Sequence, residues 1–194
     1  MTLTDFELAS DFVRRWSAAS KPRRSRLGKQ MPIATVQLAA LTHRDLGIRR
    51  FCLFLLDHYA NDQSSEVFRR ALRDPVAMVR ELALHGLACE RCRIEELDVA
   101  DVVGDLAGLL AADPSAEVRH KTVGVLARFM DRDGRARDAI GRAAADDPDA
   151  AIRQVAQTVV ATGRPHIPRR KSALRHVRRQ ERARKARSPS ALPA

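Results

Sequence analysis

Asp74-Pro75-Val76-Ala77-Met78-Val79-Arg80 is one copy of a seven-residue motif that the chain contains three times. Asp-Pro, three variable residues, a branched apolar residue and an arginine return at residues 113–119 and 147–153. The copies are 39 and 34 residues apart, a period typical of stacked helical repeats rather than of one compact core. This motif therefore predicts the architecture of most of the chain.

The residues around each copy predict a pair of helices. Upstream, apolar residues are spaced i,i+4, which is the pattern of one buried helix face. The Asp-Pro step ends this first helix, because proline disfavours a helical conformation in the residue before it, and we expect the aspartate to be the N-cap of a second helix. The second helix has a small residue four positions after the branched apolar anchor of each copy: Cys52, Ala83, Thr122 and Ala156. Eight positions after the anchor it has an apolar residue: Leu56, Leu87, Leu126 and Val160.

A degenerate fourth copy and a capping helix precede these repeats. Ile48-Arg49 supplies the anchor and the arginine of the fourth copy, and His43 stands in place of the aspartate. Residues 4–7 form a capping-box pattern, and the helix they open is predicted to bury Leu8, Phe12 and Trp16. Because a terminal repeat must cover the end of a stack, we interpret this helix as an N-terminal cap.

From about residue 30 to 163 the motif resembles the HEAT-like repeats, particularly the short bacterial kind also found in bilin lyases. The resemblance implies an all-α fold, an α-solenoid of about four helical hairpins. It also implies a ladder of bonds between adjacent repeats, made by the turn aspartate and by the arginine six residues later: Asp74, Arg80, Asp113, Arg119, Asp147 and Arg153. Members of this family are mainly binding scaffolds, so the resemblance bears on the fold and not on an activity.

Composition divides the chain into four segments. Residues 1–20 are the predicted cap and residues 31–163 the repeats. Residues 21–30 are predicted to be a basic loop, because Pro22 and Gly28 punctuate a run of cations without an acid. Residues 164–194 hold 11 Lys and Arg against one acid, whereas the first 163 residues have a net charge of +1. We therefore expect an Arg-rich flexible tail after a nearly neutral body.

The basic segments predict contacts with phosphate groups of RNA or DNA, made by charge neutralisation rather than by sequence readout. The same composition also suits an inert solubilising tail or an acidic protein partner. Second-helix positions two and six residues after the anchor mix acidic, basic and apolar residues, so the body itself suits a protein partner. The candidate nucleic-acid contacts are Lys21, Arg23, Arg24, Arg26, Lys29, Arg169, Arg170, Lys171, Arg175, Arg178, Arg179, Arg182, Arg184, Lys185 and Arg187.

No catalytic constellation is visible, so the sequence predicts a protein without enzymatic activity, metal or cofactor. Cys89-x-x-Cys92 is a single pair, and a structural zinc usually needs two such pairs. A third hypothesis is a DNA glycosylase that is built of HEAT-like repeats and acts on alkylated bases. Such an enzyme typically uses tryptophans against the damaged nucleotide, and the one tryptophan of this sequence is Trp16. Three cysteines and the absence of a long apolar run predict a cytoplasmic protein. The leading hypothesis is a noncatalytic adaptor that holds a protein partner and contacts nucleic acid or ribonucleoprotein; the alternative is a plain protein-interaction module.

Overall fold

The computed structural model describes residues 4–88 and 99–163, which are all-helical and contain no strand. The predicted tail at 164–194 and the Cys89-x-x-Cys92 motif lie outside these residues. Ten α-helices and a short 3₁₀ helix at Asp62–Ser64 make up the described chain: α1 (Asp5–Ala18), α2 (Lys21–Lys29), α3 (Ile33–Thr42), α4 (Leu46–Tyr59), α5 (Ser65–Ala71), α6 (Ala77–Ala88), α7 (Val99–Ala112), α8 (Ala116–Leu126), α9 (Gly134–Asp146) and α10 (Ala150–Thr162).

Helix α1 begins with a reciprocal capping box. The Thr4 hydroxyl accepts the Glu7 backbone N–H at 3.3 Å, and the Glu7 carboxylate accepts the Thr4 backbone N–H at 2.7 Å. The helix packs on α3 and α4. Leu8 is exposed, contrary to prediction, because the buried stripe is shifted by one residue near the start of the helix: Ala9, Phe12, Val13 and Trp16.

Residues 21–29 form helix α2, so the prediction of a loop at residues 21–30 is wrong. Pro22 lies in the first helical turn, where a missing N–H breaks no helical bond. Gly28 does not end the helix either, and it lies against Tyr59 of α4. A Cβ at Gly28 would lie 2.3 Å from Cε1 of Tyr59, so only glycine allows this contact.

The remaining helices pack as consecutive pairs, α3 with α4, α5 with α6, α7 with α8 and α9 with α10. The second helix of each pair also contacts the second helix of the next, and α3 contacts α5 as α7 contacts α9. One continuous apolar core runs from Ala9 in α1 to Val159 in α10. We call α4, α6, α8 and α10 the row of second helices.

Contrary to prediction, the turn aspartates are not the N-caps of α8 and α10 but lie two residues before them. Asp147 is the C-cap of α9, and the N-caps of α8 and α10 are Ser115 and Asp149. Oδ1 of Asp113 accepts the N–H of Ser115 at 2.8 Å, and Oδ1 of Asp147 accepts that of Asp149 at 2.9 Å. The aspartate thus closes an Asx turn around the proline, and the helix begins only after it.

Helix α10 ends at Gly163, which has a left-handed φ of +64°, as expected for a glycine after a helix. Val160 is 49% exposed although the repeat pattern predicts an apolar contact there. The difference arises because Leu56, Leu87 and Leu126 are each covered by a following pair, whereas α10 is the last helix described. Within residues 4–88 and 99–163, none of the helices combines the length and the apolar character needed to cross a membrane.

Candidate interaction surface

Arginines in the row of second helices bridge each pair to the next. Arg80 donates from Nε and Nη2 to the two carboxylate oxygens of Asp113, both at 2.7 Å. Its Nη1 donates to the carbonyl oxygen of Asp74, in the turn of its own pair, at 2.8 Å. Arg119 binds Asp147 in the same bidentate manner at 2.9 and 3.1 Å. Each guanidinium therefore ties its own turn to the turn of the following pair.

These charges are buried, and their pKa values move accordingly. The hydrogen bonds that Arg80 donates to Asp113 outweigh burial and raise the pKa of Arg80, and those that Arg119 donates to Asp147 raise the pKa of Arg119. Burial alone would raise the pKa of Asp147, but the hydrogen bond and charge of Arg119 bring it below its ordinary value. Side chains engaged in this way stabilise the fold and are not available to a ligand.

The first pair keeps its arginine, and His43 takes part of the aspartate's role. Arg49 donates to Asp74 from Nε at 3.1 Å and from Nη2 at 3.4 Å, and from Nη1 to the His43 carbonyl oxygen at 2.9 Å. Nδ1 of His43 accepts the N–H of Asp45 at 3.0 Å, the contact that a carboxylate makes in later turns. Its Nε2 lies 3.1 Å from Oγ of Ser10 in α1. The imidazole thus joins the first turn to the capping helix.

A groove of about 580 Å³ runs across α4, α6 and α8. Met78 projects into it and is 44% exposed. The groove has an apolar floor and a rim of mixed charge. The apolar and small residues are Met78, Leu82, Leu84, Ala88, Gly124 and Val125. The charged and imidazole side chains are Arg50, Glu81, His85, His120, Lys121 and Arg128.

The sequence located this surface in part. Five of the eight positions two and six residues after the anchor line the groove: Arg50, Glu81, His85, His120 and Gly124. Phe54, another of the eight, is covered instead by Trp16, with ring centroids 5.8 Å apart. Sequence reasoning missed Met78, Lys121 and Arg128, which lie one residue before, three after and ten after their anchors. Met78 and Lys121 fall on the same helical arc as the predicted positions, so a wider arc would have found them. Arg128 lies past the end of α8, where helical spacing no longer applies.

The charged side chains at the rim of the groove differ in how many ion pairs they make. Lys121 binds the carboxylate of Glu81 and lies 3.5 Å from that of Glu117. Arg50 is exposed and makes no ion pair within the described chain. Two acids thus accompany Lys121, while Arg50 leaves a positive charge at the α4 side of the groove.

Behind the groove, Asp57 is a buried carboxylate between two histidines. Its Oδ2 lies 3.4 Å from Nε2 of His85 and 3.5 Å from Nδ1 of His58, and Asn61 donates to its Oδ1 at 2.9 Å. Burial alone would raise the pKa of Asp57, but the hydrogen bond and charge of His85, the charge of His58 and the hydrogen bond from Asn61 lower it below its ordinary value. Asp57 therefore holds His85 in place at the groove.

Helix α2 places four of its five predicted contacts in solvent. Lys21, Arg23, Arg26 and Lys29 are exposed. Arg24 faces inward: its guanidinium lies 4.7 Å from the centroid of the Trp16 ring, and its Nη2 donates to the Ser17 carbonyl oxygen at 2.7 Å. Arg24 and Gly28 hold the helix against the body, which leaves the other cations free.

The ten predicted contacts of the tail lie outside the described residues: Arg169, Arg170, Lys171, Arg175, Arg178, Arg179, Arg182, Arg184, Lys185 and Arg187. Of the residues that the structure describes, no three His, Cys, Asp or Glu side chains are grouped to hold a metal ion. Trp16, the one tryptophan that an aromatic pocket could use, is buried beneath α2. Neither the known family models nor the curated proteins match this chain.

Proposed function

We propose that the protein is a noncatalytic binding scaffold, an α-solenoid of four HEAT-like helix pairs that holds a protein partner in the groove across α4, α6 and α8. The observation that carries this proposal is the exposed side chain of Met78 in a groove that combines apolar and charged side chains. A thioether adapts to differently shaped apolar ligands, so an exposed methionine suits a binding surface. The ladder between consecutive pairs supports the solenoid arrangement, since it keeps the second helices in register.

A matched pair of substitutions tests the groove. Met78→Glu places a carboxylate on its floor, while Leu38→Glu makes the same change at an exposed position in α3, which is 42% exposed. We expect proteins that bind the wild-type chain through the groove to be absent with Met78→Glu and retained with Leu38→Glu, as measured by quantitative affinity capture. The groove is not the binding site if all three chains capture the same proteins in the same amounts.

The second half of the proposal is that α2 contacts nucleic acid together with the basic tail. Four exposed cations on one short helix, without an acid among them, form a compact positive surface. Phosphate neutralisation by such a surface gives affinity without base recognition. The protein would thereby bring its partner to an RNA or DNA, and two weak contacts on one nucleic acid would strengthen each other.

Salt-dependent binding tests this second half. The probes are a labelled single-stranded RNA and a labelled duplex DNA, titrated with the full chain, with a chain ending at Gly163, and with an Arg23→Gln, Arg26→Gln variant. For duplex DNA the slope of log K against log salt falls by about 0.9 for each phosphate that the protein no longer neutralises. We expect both altered chains to have a shallower slope than the full chain. If the slopes are equal, neither segment contacts phosphate, and the scaffold acts through protein partners alone.

A further inference from the structure

The last arginine of the ladder, Arg153, has an open side. Its Nη1 donates to the carbonyl oxygens of Asp147 at 2.6 Å and Pro148 at 3.2 Å. Arg80 makes the same two contacts with Asp74 and Pro75, at 2.8 and 3.1 Å. Arg80 then binds a carboxylate through Nε and Nη2, whereas no carboxylate of the described chain pairs with Arg153. The turn that holds Arg153 therefore orients its guanidinium before any partner arrives.

An apolar contact lies on the same face of α10. Val160 occupies the position of Leu56, Leu87 and Leu126, which are at most 2% exposed because the next pair covers them. At 49%, Val160 is the most exposed of the large apolar side chains that the structure describes. Arg153 and Val160 are seven residues apart, or two helical turns, so both project from one side of α10.

The contacts of the three preceding arginines indicate the kind of ligand that suits this face of α10. Arg49, Arg80 and Arg119 each hold one carboxylate with two N–H groups, at distances from 2.7 to 3.4 Å. In all three the carboxylate belongs to an aspartate at the turn between two helices. We propose that the exposed face of α10 binds a helical protein that offers such a turn aspartate to Arg153 and an apolar side chain to Val160. This site is separate from the groove and stands whether or not the groove binds a partner.

A second copy of this chain does not supply that aspartate from its first pair. The turn of the first pair has His43, and both ring nitrogens are already within hydrogen-bonding distance of Asp45 and Ser10. This favours a different protein with an Asp-containing turn as the ligand of Arg153.

Gln157 makes this docking weaker than the contacts between inner pairs. It stands where inner second helices have Leu53, Leu84 and Val123, each at most 1% exposed. Gln157 is exposed, and its amide donates to the Ala144 carbonyl oxygen at 3.0 Å. A polar residue at the centre of the face reduces the apolar area that a partner can bury, so we expect reversible association.

NMR of the full chain with isotope-labelled arginine side chains tests the proposal. The probe is a blocked peptide with the sequence of residues 112–120, which carries the turn aspartate, and the matched probe is the same peptide with Asp113→Asn. We expect the Nε–H resonance of Arg153 to move in a saturable manner with the aspartate peptide. The asparagine peptide should bind at least about tenfold more weakly, because it cannot form a bidentate charged hydrogen bond.

Internal controls separate a specific site from general attraction of an anion. The resonances of Arg49, Arg80 and Arg119 should not move, since their carboxylates are already in place. Val160→Ser should weaken binding several-fold, while Leu38→Ser, at a similarly exposed position in α3, should not. The proposal is overturned if Arg153 does not respond, if it responds equally to both peptides, if Arg23 and Arg26 respond in parallel with it, or if Val160→Ser binds as tightly as the wild type.

Discussion

Replacing Arg80 by methionine should destabilise the protein far more than the same replacement at Arg153. Both arginines donate from Nη1 to two carbonyl oxygens of their own turn. Only Arg80 also binds a carboxylate, that of Asp113, whose side chain is 1% exposed. The difference between the two variants therefore isolates the bridge to the next pair.

The buried pair sets the size of this difference. Removing one partner of a buried ion pair costs about 3–5 kcal/mol, because the other charge is left without compensation. Arg153→Met removes only hydrogen bonds to carbonyls at a half-exposed site, about 1 kcal/mol. With an m-value of about 2 kcal/mol/M in urea, the midpoint should fall by about 1.5–2.5 M for Arg80→Met and by about 0.5 M for Arg153→Met.

Equilibrium urea unfolding followed by circular dichroism measures both midpoints. Asp113→Asn and the double variant Arg80→Met, Asp113→Asn complete a thermodynamic cycle, in which we expect a coupling of at least about 1.5 kcal/mol. Equal shifts for Arg80→Met and Arg153→Met, or a coupling near zero, would refute the idea that the carboxylate contact stabilises adjacent pairs.

Three further predictions concern packing, acid and thiol reactivity. Gly28→Ala should lower the thermal midpoint, because the new Cβ would lie 2.3 Å from Tyr59. Gly108→Ala should raise the free energy of unfolding by about 0.5–1 kcal/mol, because a Cβ there meets nothing within 4 Å. Lowered stability in both variants would contradict this. The pKa of Asp147 lies below its ordinary 3.8 in the folded state, so the unfolded chain binds more protons as the pH falls. The stability that Asp147 contributes is thus present above about pH 4 and disappears in acid, and Asp147→Asn should flatten the acid limb of a stability–pH profile; an unchanged limb would be contrary evidence. Burial raises the pKa of Cys52 to about 12, so mass spectrometry should find this thiol unlabelled by a thiol reagent until the protein unfolds; rapid labelling of the folded chain would show that Cys52 is accessible.

Much of the helical pattern was predictable because it depends on local chemistry. The capping box at Thr4 and the stop at Gly163 follow from backbone groups that must find partners near a helix end. Leu106 and Leu110, the i,i+4 pair upstream of the second motif copy, are buried as that spacing predicts. These features need no knowledge of distant residues.

Other features were not predictable because they depend on which side chains pack together or substitute for one another. Gly28 suggests the end of a helix, but the ring of Tyr59 occupies the space that a side chain at Gly28 would need. In the sequence Arg24 is one of five similar cations at residues 21–29, but its guanidinium packs on the ring of Trp16. His43 departs from the repeat motif, yet its ring nitrogen accepts the N–H that a carboxylate would accept. A motif does not show that Gly28 packs on Tyr59 or Arg24 on Trp16. Nor does it show that His43 can replace the missing carboxylate as a hydrogen-bond acceptor.

The arrangement of the ladder has a consequence for how such a chain lengthens in evolution. Each inner unit contains one carboxylate for the arginine before it and one arginine for the carboxylate after it, as Asp113 and Arg119 do. A tandem duplication of a whole unit therefore adds one acceptor and one donor at once, and leaves every older bond intact. Duplicating or deleting a second helix alone would separate the two halves of a bond and bury an uncompensated charge. The ladder therefore favours gain and loss of sequence in steps of a whole helix pair.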